Sequence, residues 1–222
     1  MKNTSKVTFL IIETKDILNK AMNKYELICS EDKSFVAFDN QKNLVCKFIP
    51  PFLQKIEKSI AIKEYYDNLQ TEYGKYLFVL IQAQNAALAI YDKDSFTYHK
   101  VISKYMVRKK HGKAQITYLN QKGKSRGGGK MRLRNTIAFF NEINQKLTHW
   151  KNEIISCEKI FYSCPVRLWG EIFRAKTKPP VEKLDNRWEK IPLDVKIPNF
   201  KEIRRIFYKL AHGEILYNND LY

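Results

Sequence analysis

Apolar and polar residues alternate in the stretch FVAFDNQKNLVCKFIP, from Phe35 to Pro50. Asp39 and Asn40, two residue types common in turns, stand inside this stretch and predict a β-hairpin around them. Proline has no backbone N–H to donate to a sheet, so Pro50 and Pro51 are expected to end the second strand. The N-terminal part of the chain is therefore expected to contain antiparallel strands.

A helix-like period follows the two prolines. Gly74 is a suitable stop for this predicted helix. Its apolar face would be formed by Phe52, Ile56, Ile60 and Tyr66. We expect residues 1–73 to be a small extension of strands and helix that packs on the core.

Three further strands are predicted next. The run YLFVLIQAQ (Tyr76–Gln84) is almost wholly apolar, which is typical of a strand buried on both faces. AALAIYD follows after a short break, and SFTYHKVISKYMVR alternates over a long span. The connections are too short for helices, so the three strands are expected to be antiparallel neighbours.

A long amphipathic helix is predicted further on, followed by shorter elements. The apolar residues of this helix recur at spacings of three and four: Leu133, Ile137, Phe140, Ile143, Leu147, Trp150 and Ile154. KIFYSCP is expected to be a short strand, RLWGEIF a helical turn and WEKIPLDVKI another strand. Asn199 and Glu202 have capping-box spacing at the start of a last helix, and Gly213 is its expected stop.

The order of these elements predicts the fold class. Three antiparallel strands, helix, strand, helix, strand and helix fit an α/β fold with an open mixed sheet, ribonuclease-H-like, with helices on its faces. The small N-terminal strand and helix extension would occupy residues 1–73, and the core domain residues 74–222.

The net charge of the chain indicates what kind of partner it binds. The 222 residues have a formal net charge of +17, which predicts a polyanionic partner, most often nucleic acid and less often an anionic membrane. Hydrophobic residues make up 44% of the chain, so a globular protein is expected rather than a disordered tail. No apolar run is long enough to cross a bilayer and no signal peptide is evident, so we expect a cytoplasmic location and no membrane partner.

The cysteines do not predict a metal site. None of the four forms a Cys-x-x-Cys pair, and no histidine lies at metal-ligand spacing from them. Cys157 and Cys164 flank an apolar strand and are expected to be buried thiols. We therefore expect no metal and no cofactor.

Positive charge is concentrated between Asp94 and Glu142, where the sequence has no acidic residue. At the centre lies VRKKHGKAQITYLNQKGKSRGGGK, which combines cations, glycines and the isolated Gln115. Crowding one sign of charge destabilises a fold unless a polyanion relieves it, and each neutralised phosphate releases counterions. The expected RNA-binding residues are Arg108, Lys109, Lys110, Lys113, Lys122, Lys124, Arg126, Lys130, Arg132 and Arg134, with Lys104 beside them.

One other interpretation concerns the same basic stretch. A solvated, mobile loop without a ligand is the alternative, because runs of charge usually are that. The glycines Gly127, Gly128 and Gly129 favour binding, since they would let the backbone bend and lie close against a partner.

Several enzyme classes are disfavoured. The central strand YLFVLIQAQ carries no carboxylate, so a two-metal nuclease is not expected despite the fold. GKSRGGGK does not match the phosphate-loop pattern, and the sequence has neither a Gly-x-Ser-x-Gly elbow nor a local Cys–His pair. His99 and His149 are expected to be structural.

The segment YMVRKKHGKAQ, with NQKGKSRGGGKMRLRNTIAFFNEINQKLTHWKNEII after it, resembles the VLRF domain. This is the release-factor-like domain of the Vms/ANKZF-type peptidyl-tRNA hydrolases, which act on stalled large ribosomal subunits. The shared pattern is a strand ending in basic residues, a Gly-containing loop with a Gln, a basic Gly/Ser stretch and a helix opening with Arg and Asn/Glu. KIFYSCPVRLWGEIF and IPLDVKIPNFKEIRRIFYKL resemble the elements that follow, so the likeness covers residues 75–212.

The resemblance implies a function and a site. Residues 74–222 would be a release-factor-like catalytic domain, a distant relative of that of eukaryotic and archaeal class I release factors. The protein would be a peptidyl-tRNA hydrolase that frees nascent chains from stalled large subunits. Its partners would be the large ribosomal subunit, ribosomal RNA and peptidyl-tRNA, and we expect a monomer. The chain leaves little room for a codon-reading domain, so release should not depend on a stop codon.

The implied catalytic residues are Gln115, Gly112 and His111. A glutamine amide does not titrate near neutral pH, so Gln115 would position a water molecule instead of acting as a base. Gly112 would let the backbone enter a tight, RNA-lined cavity. The loop departs from the family's pattern, because HGKAQ has one Gly and places Lys113 and Ala114 before the Gln.

Two other activities stay open. Some relatives of the family cut the tRNA near its 3′ end. That reaction needs a base for a ribose 2′-OH, and His111 is the nearby residue that would serve. The other alternative is a non-catalytic ribosome- or RNA-binding factor with a degenerate loop.

Overall fold

The computed structural model describes residues 4–56, 60–105 and 127–218. Their strands form two five-stranded sheets. The chain divides into two compact units, the first comprising Met1–Tyr73 and Arg205–Tyr222 and the second Gly74–Arg204. The mixed α/β class predicted from the sequence is confirmed.

The strands and helices have the following bounds. The strands are β1 (Thr4–Leu10), β2 (Glu26–Cys29), β3 (Phe35–Phe38), β4 (Leu44–Ile49), β5 (Tyr76–Gln82), β6 (Asn85–Asp92), β7 (Ser95–Ser103), β8 (Lys159–Ser163), β9 (Trp188–Lys190) and β10 (His212–Asn218). The α-helices are α1 (Thr14–Met22), α2 (Ile62–Asp67), α3 (Gly127–His149), α4 (Lys151–Ile155), α5 (Val166–Arg174) and α6 (Phe200–Ala211). Within the described ranges, no helix is both long and apolar enough for a bilayer crossing.

The sheet of the first unit is antiparallel throughout, with the order β1-β10-β4-β3-β2. It contains the predicted hairpin, β3 and β4, whose turn is held by Asp39. The Oδ1 of this residue accepts hydrogen bonds from the N–H groups of Gln41 and Asn43, both at 2.8 Å. Aromatic residues fill the inner face of the sheet, where the rings of Phe9 and Phe48 stack with centroids 4.9 Å apart.

The C-terminal strand belongs to this first sheet. β10 pairs with β1 on one side and with β4 on the other, so residues 205–222 join the N-terminal unit. The first part of this unit ends at Tyr73, and the second unit begins at Gly74. The assignment of residues 74–222 to a release-factor-like catalytic domain stays a prediction. Long-range strand pairing of this kind leaves no local sequence signal.

The expected helix after Pro51 is interrupted. Phe52–Gln54 forms a single 3-10 turn, and Lys55 is extended with φ −56° and ψ 146°. Among the described residues the next helix is α2, and Gly74 does not end a helix: its N–H donates to the Tyr76 hydroxyl at 3.0 Å. The apolar spacing reflects core contacts made from different local conformations, because Ile56 is buried and Ile60 and Tyr66 pack against the same core.

The sheet of the second unit is mixed, with the order β7-β6-β5-β8-β9. β5, β6 and β7 are antiparallel neighbours as predicted, while β8 and β9 run parallel to β5. β5 is the central strand, and its residues 76–81 are all buried. The ribonuclease-H-like assignment stays a prediction.

The long helix α3 packs the predicted apolar face against this sheet, but only over its second half. Phe140, Ile143, Leu147 and Trp150 are buried, together with Phe139, which the spacing missed. Leu133 and Ile137 were expected in the core but are 53% and 54% exposed. The helix begins at Gly127, so the three glycines form its first turn instead of a bend.

The structure corrects the predicted length of β9 and the predicted stop of the last helix. β9 has only three residues, because the Ile191 N–H makes a last bond to Tyr162 O at 2.9 Å and Pro192 has no N–H to continue. α6 begins as predicted, with Asn199 Oδ1 accepting from the Glu202 N–H at 2.8 Å. Glu202 reaches back to the Lys196 N–H at 2.8 Å. Gly213 lies inside β10, beyond the end of the helix.

Candidate nucleic-acid interface

The predicted catalytic residues Gln115, Gly112 and His111 lie outside the described residues. The same holds for most of the predicted RNA-binding residues: Arg108, Lys109, Lys110, Lys113, Lys122, Lys124 and Arg126. Their roles stay predictions. Lys130 lies in the first turns of α3, and Arg132 and Arg134 follow on the same helix, where Arg134 is exposed and Arg132 is partly exposed.

Both chain segments that flank residues 106–126 are anchored to the second unit. On the incoming side, the Lys104 N–H donates to Gln84 O at 2.9 Å, and Lys104 Nζ forms an ion pair with Glu142 Oε2 at 2.8 Å. On the returning side, Asn135 Nδ2 on α3 donates to Tyr105 O at 2.8 Å. We call residues 106–126 the basic segment. The residues directly before this segment are therefore fixed to α3, the helix that follows it.

These anchoring contacts revise one sequence-based assignment. Lys104 was grouped with the basic residues beside the loop, but its ammonium group pairs with a carboxylate of α3. Sequence reasoning missed the roles of Asn135 and Glu142. Glu142 is the first acidic residue after a long basic stretch, and that position was the available signal for an ion pair with a lysine at the near end.

A second set of contacts fixes the chain after α5 to the same helix. Asn144 is fully buried, and its Nδ2 donates to Ile172 O at 2.6 Å and to Thr177 O at 2.7 Å. Asn141 Oδ1 accepts from the Thr177 N–H at 3.1 Å. Residues 172–177 therefore form a fixed wall beside α3.

The other candidate groups are embedded in the packing. Burial raises the pKa of the Cys157 thiol to about 11 and that of Cys164 to about 12, so both stay protonated at neutral pH. Cys157 is buried as predicted, whereas Cys164 is partly exposed. The His99 ring stacks on Phe200 with centroids 4.3 Å apart, which agrees with a structural role.

Comparison with known proteins identifies the family. The model of the family described as Bacteroidetes VLRF1 release factor matches residues 76–218. The tRNA endonuclease ANKZF1 of Mus musculus is 27% identical over 157 residues, which are 69% of this chain and 21% of that protein. The tRNA endonuclease vms-1 of Caenorhabditis elegans is 27% identical over 126 residues, or 56% of this chain and 20% of that protein. The chain thus matches about a fifth of the length of these relatives.

A solved structure agrees with the fold. The Vms1 mitochondrial localization core superimposes with a TM-score of 0.56, covering 92% of this chain and 95% of that one at 13% identity. The family match spans the basic segment, the strand before it and the helix after it, and confirms the resemblance noted in the sequence. Since it covers well over half of the 222 residues, the chain belongs to the Bacteroidetes VLRF1 release factor family.

Proposed function

We propose that this protein is a peptidyl-tRNA hydrolase that frees nascent chains from stalled large ribosomal subunits without a stop codon. The observation that carries the proposal is the release-factor family match over residues 76–218, because that range includes Gln115 and the basic residues around it. The partners would be the large subunit, its RNA and the peptidyl-tRNA. The net charge of +17 supports such polyanionic partners.

The proposed reaction is hydrolysis of the ester that joins peptide and tRNA. Gln115 holds a water molecule near the ester carbonyl, and the water oxygen forms a bond to the carbonyl carbon. The bond from that carbon to the ribose oxygen breaks, and one water proton goes to this oxygen while the other goes to solvent. The products are a peptide carboxylate and a tRNA with a free 3′-terminal hydroxyl. The ester is already activated, so positioning supplies much of the rate acceleration.

The anchored ends of the basic segment support a positioning mechanism. Asn135 and Glu142 hold Tyr105 and Lys104, the last described residues before the segment, against α3. A loop whose two ends are held in place needs less ordering when it places a side chain against the substrate. Arg132 and Arg134 lie on the same helix and would bind RNA phosphates next to the loop.

A second candidate is cleavage of the tRNA itself, which the names of the curated relatives as tRNA endonucleases favour. A base would take the proton of a ribose 2′-OH, whose oxygen attacks the adjacent phosphorus while the 5′ oxygen of the next nucleotide leaves. The nascent chain would then be released with a short RNA end still attached. His111 is the residue proposed as the base.

One experiment distinguishes the two reactions. Large subunits carrying labelled peptidyl-tRNA are incubated with the protein, and the peptide and both tRNA ends are resolved. We expect peptide and full-length tRNA as products. Gln115→Ala should slow release on the order of a hundredfold with binding intact. His111→Ala should release peptide normally, as should the matched control Gln121→Ala in the same segment.

Two other outcomes would contradict the proposed peptide release. A shortened tRNA, with the missing nucleotides on the nascent chain and the activity lost in His111→Ala, would contradict ester hydrolysis and establish the endonuclease. Binding of stalled subunits without any product would leave only the role of a binding factor.

A further inference from the structure

A groove runs between the first half of α3 and the end of α5 in the second unit. It has a volume of about 180 Å³. Leu133 and Ile137 of α3 line it, and both are more than half exposed, while the buried Phe140 also lines it. Ala175 lies on the opposite wall. Large apolar side chains exposed on neighbouring turns of a helix indicate a surface that another molecule covers.

The wall opposite α3 is fixed in place. Asn144 binds the carbonyl groups of Ile172 and Thr177 at 2.6 and 2.7 Å, and Asn141 accepts from the Thr177 N–H at 3.1 Å. Lys178 Nζ also donates to Phe173 O at 2.8 Å. A wall held by polar side chains of α3 keeps the groove open and preformed for a ligand.

The rim of the groove is positively charged. Arg174 and Lys176 line it on the α5 side, and Arg132 precedes Leu133 on α3. The acidic residue in the lining is Glu171, which pairs with Arg174 at 3.3 Å. That pair is exposed and contributes little, so a phosphate can compete for the guanidinium group. The groove therefore combines an apolar floor with cations along its edge.

This combination matches the chemistry of single-stranded RNA. An unpaired base presents a flat face that packs on apolar side chains, and its backbone phosphates seek cations within a few ångströms. Double-stranded RNA offers no exposed base face to the floor, and an apolar peptide offers no charge to the rim. An unpaired nucleotide satisfies both parts of the groove.

The position of the groove selects the source of that RNA. Leu133 lies six residues after Gly127, or about 9 Å along the axis of α3 from the end of the basic segment. Resting on the proposed function, which brings the acceptor end of tRNA to that segment, we propose that this groove binds the unpaired 3′ end of tRNA. A base would pack on Leu133 and Ile137, and Arg174 and Lys176 would bind the adjoining phosphates.

The test measures the affinity of the protein for deacylated tRNA and for the same tRNA trimmed of its unpaired 3′ nucleotides. Ile137→Ser should weaken binding of intact tRNA about fivefold to tenfold and leave binding of trimmed tRNA unchanged. The matched control is Ile155→Ser on α4, because that isoleucine is also exposed, at 64%. Neither change should lower the melting temperature, since both side chains face solvent.

Lys176→Ala adds the charge arm of the test. It should weaken binding of intact tRNA and reduce the dependence of that binding on salt, again without effect on trimmed tRNA. Equal losses for both tRNAs, or no loss for either, would overturn the proposal. So would a loss confined to vacant large subunits, which would assign the groove to ribosomal RNA or a ribosomal protein.

These affinities do not depend on catalysis. If stalled complexes yield no product while the two tRNAs are still distinguished through Ile137, the proposed activity fails and the groove stands. If release is observed and Ile137→Ser does not alter the two affinities, only the groove assignment fails.

Discussion

Two glycines show how differently single residues of this fold respond to an added methyl group. A Cβ atom at Gly213 in β10 would lie 2.2 Å from Phe9 Cζ and 2.8 Å from Ile49 O. A Cβ atom at Gly170 in α5 would meet no atom of the described residues within 4 Å. Gly213 is thus required by close packing between strands, whereas no described part of the chain imposes such a requirement at Gly170.

The same substitution at these two glycines should have opposite effects. Gly213→Ala is expected to lower the free energy of unfolding by about 1–3 kcal/mol, because the strand or the Phe9 ring must shift. Gly170→Ala should raise it by about 0.5–1 kcal/mol, because alanine stabilises a helix interior. Denaturant unfolding of both variants measures the difference, and equal effects would contradict the packing at Gly213.

Residue-level features were predictable where they depend on near neighbours. The Asp39 turn and the Asn199 cap were predicted because each bonds to backbone only a few positions away. The role of Asn144 was not, because its partners are the carbonyl groups of Ile172 and Thr177, 28 and 33 residues further on. A polar residue on the apolar face of a helix was the available signal.

An aromatic residue packs the C-terminal end of α3 against the sheet, directly after the last residue of the helix. Trp150 is 3% exposed, and its ring centroid lies 5.8 Å from that of Tyr98 on β7. Trp150→Ala should lower the free energy of unfolding by about 3–5 kcal/mol, because the helix loses its packing against the sheet. The exposed neighbour His149 is the control: His149→Ala should leave the melting curve unchanged. A wild-type curve for both would mean that α3 does not pack through this face.

The side chain of Asn199 caps the start of α6. Asn199 Oδ1 accepts the Glu202 N–H, which would otherwise have no partner in the helix. Asn199→Ala should lower the free energy of unfolding by about 1 kcal/mol. Asn199→Asp keeps the acceptor and should be nearly neutral. If thermal unfolding gives equal melting temperatures for Ala and Asp at this position, capping is not what Asn199 contributes.

Elements with a continuous local pattern were predicted well, and those defined by distant partners were not. β5, β6 and β7 were evident from burial and alternation, and α3 from its apolar spacing. The apolar spacing of α3 predicted burial wrongly only at Leu133 and Ile137. Periodicity cannot show where the neighbouring wall ends and a groove begins. β1 was missed because residues 5–8 are exposed and carry no apolar stripe.

At the scale of the whole molecule, the proposed association with RNA depends on the excess of 40 Lys and Arg over 23 Asp and Glu. Reversing Lys109, Lys110 and Arg126 to Glu should weaken binding to large subunits and flatten its salt dependence by about 0.7 to 0.9 per lost phosphate contact. Filter binding or anisotropy at several salt concentrations measures the slope.

The control for charge reversal lies in the first unit. Lys20, Lys63 and Lys209 are exposed there, and reversing them removes the same net charge. This second variant should keep most of the affinity and the steep salt slope. If both variants lose affinity equally, net charge alone governs binding and the basic segment is not a specific footprint.

The pairing of β10 between β1 and β4 has a consequence for synthesis. The second unit, Gly74–Arg204, is continuous in sequence. During translation its sheet can therefore form as soon as β9 has left the ribosomal exit tunnel. The first sheet cannot close then, because the position between β1 and β4 stays empty until residues up to Asn218 have emerged. Strands separated by about 200 residues pair late and slowly. A copy of this protein cut short before β10 would therefore carry an unfinished N-terminal sheet with two open edges, which chaperones and proteases can recognise.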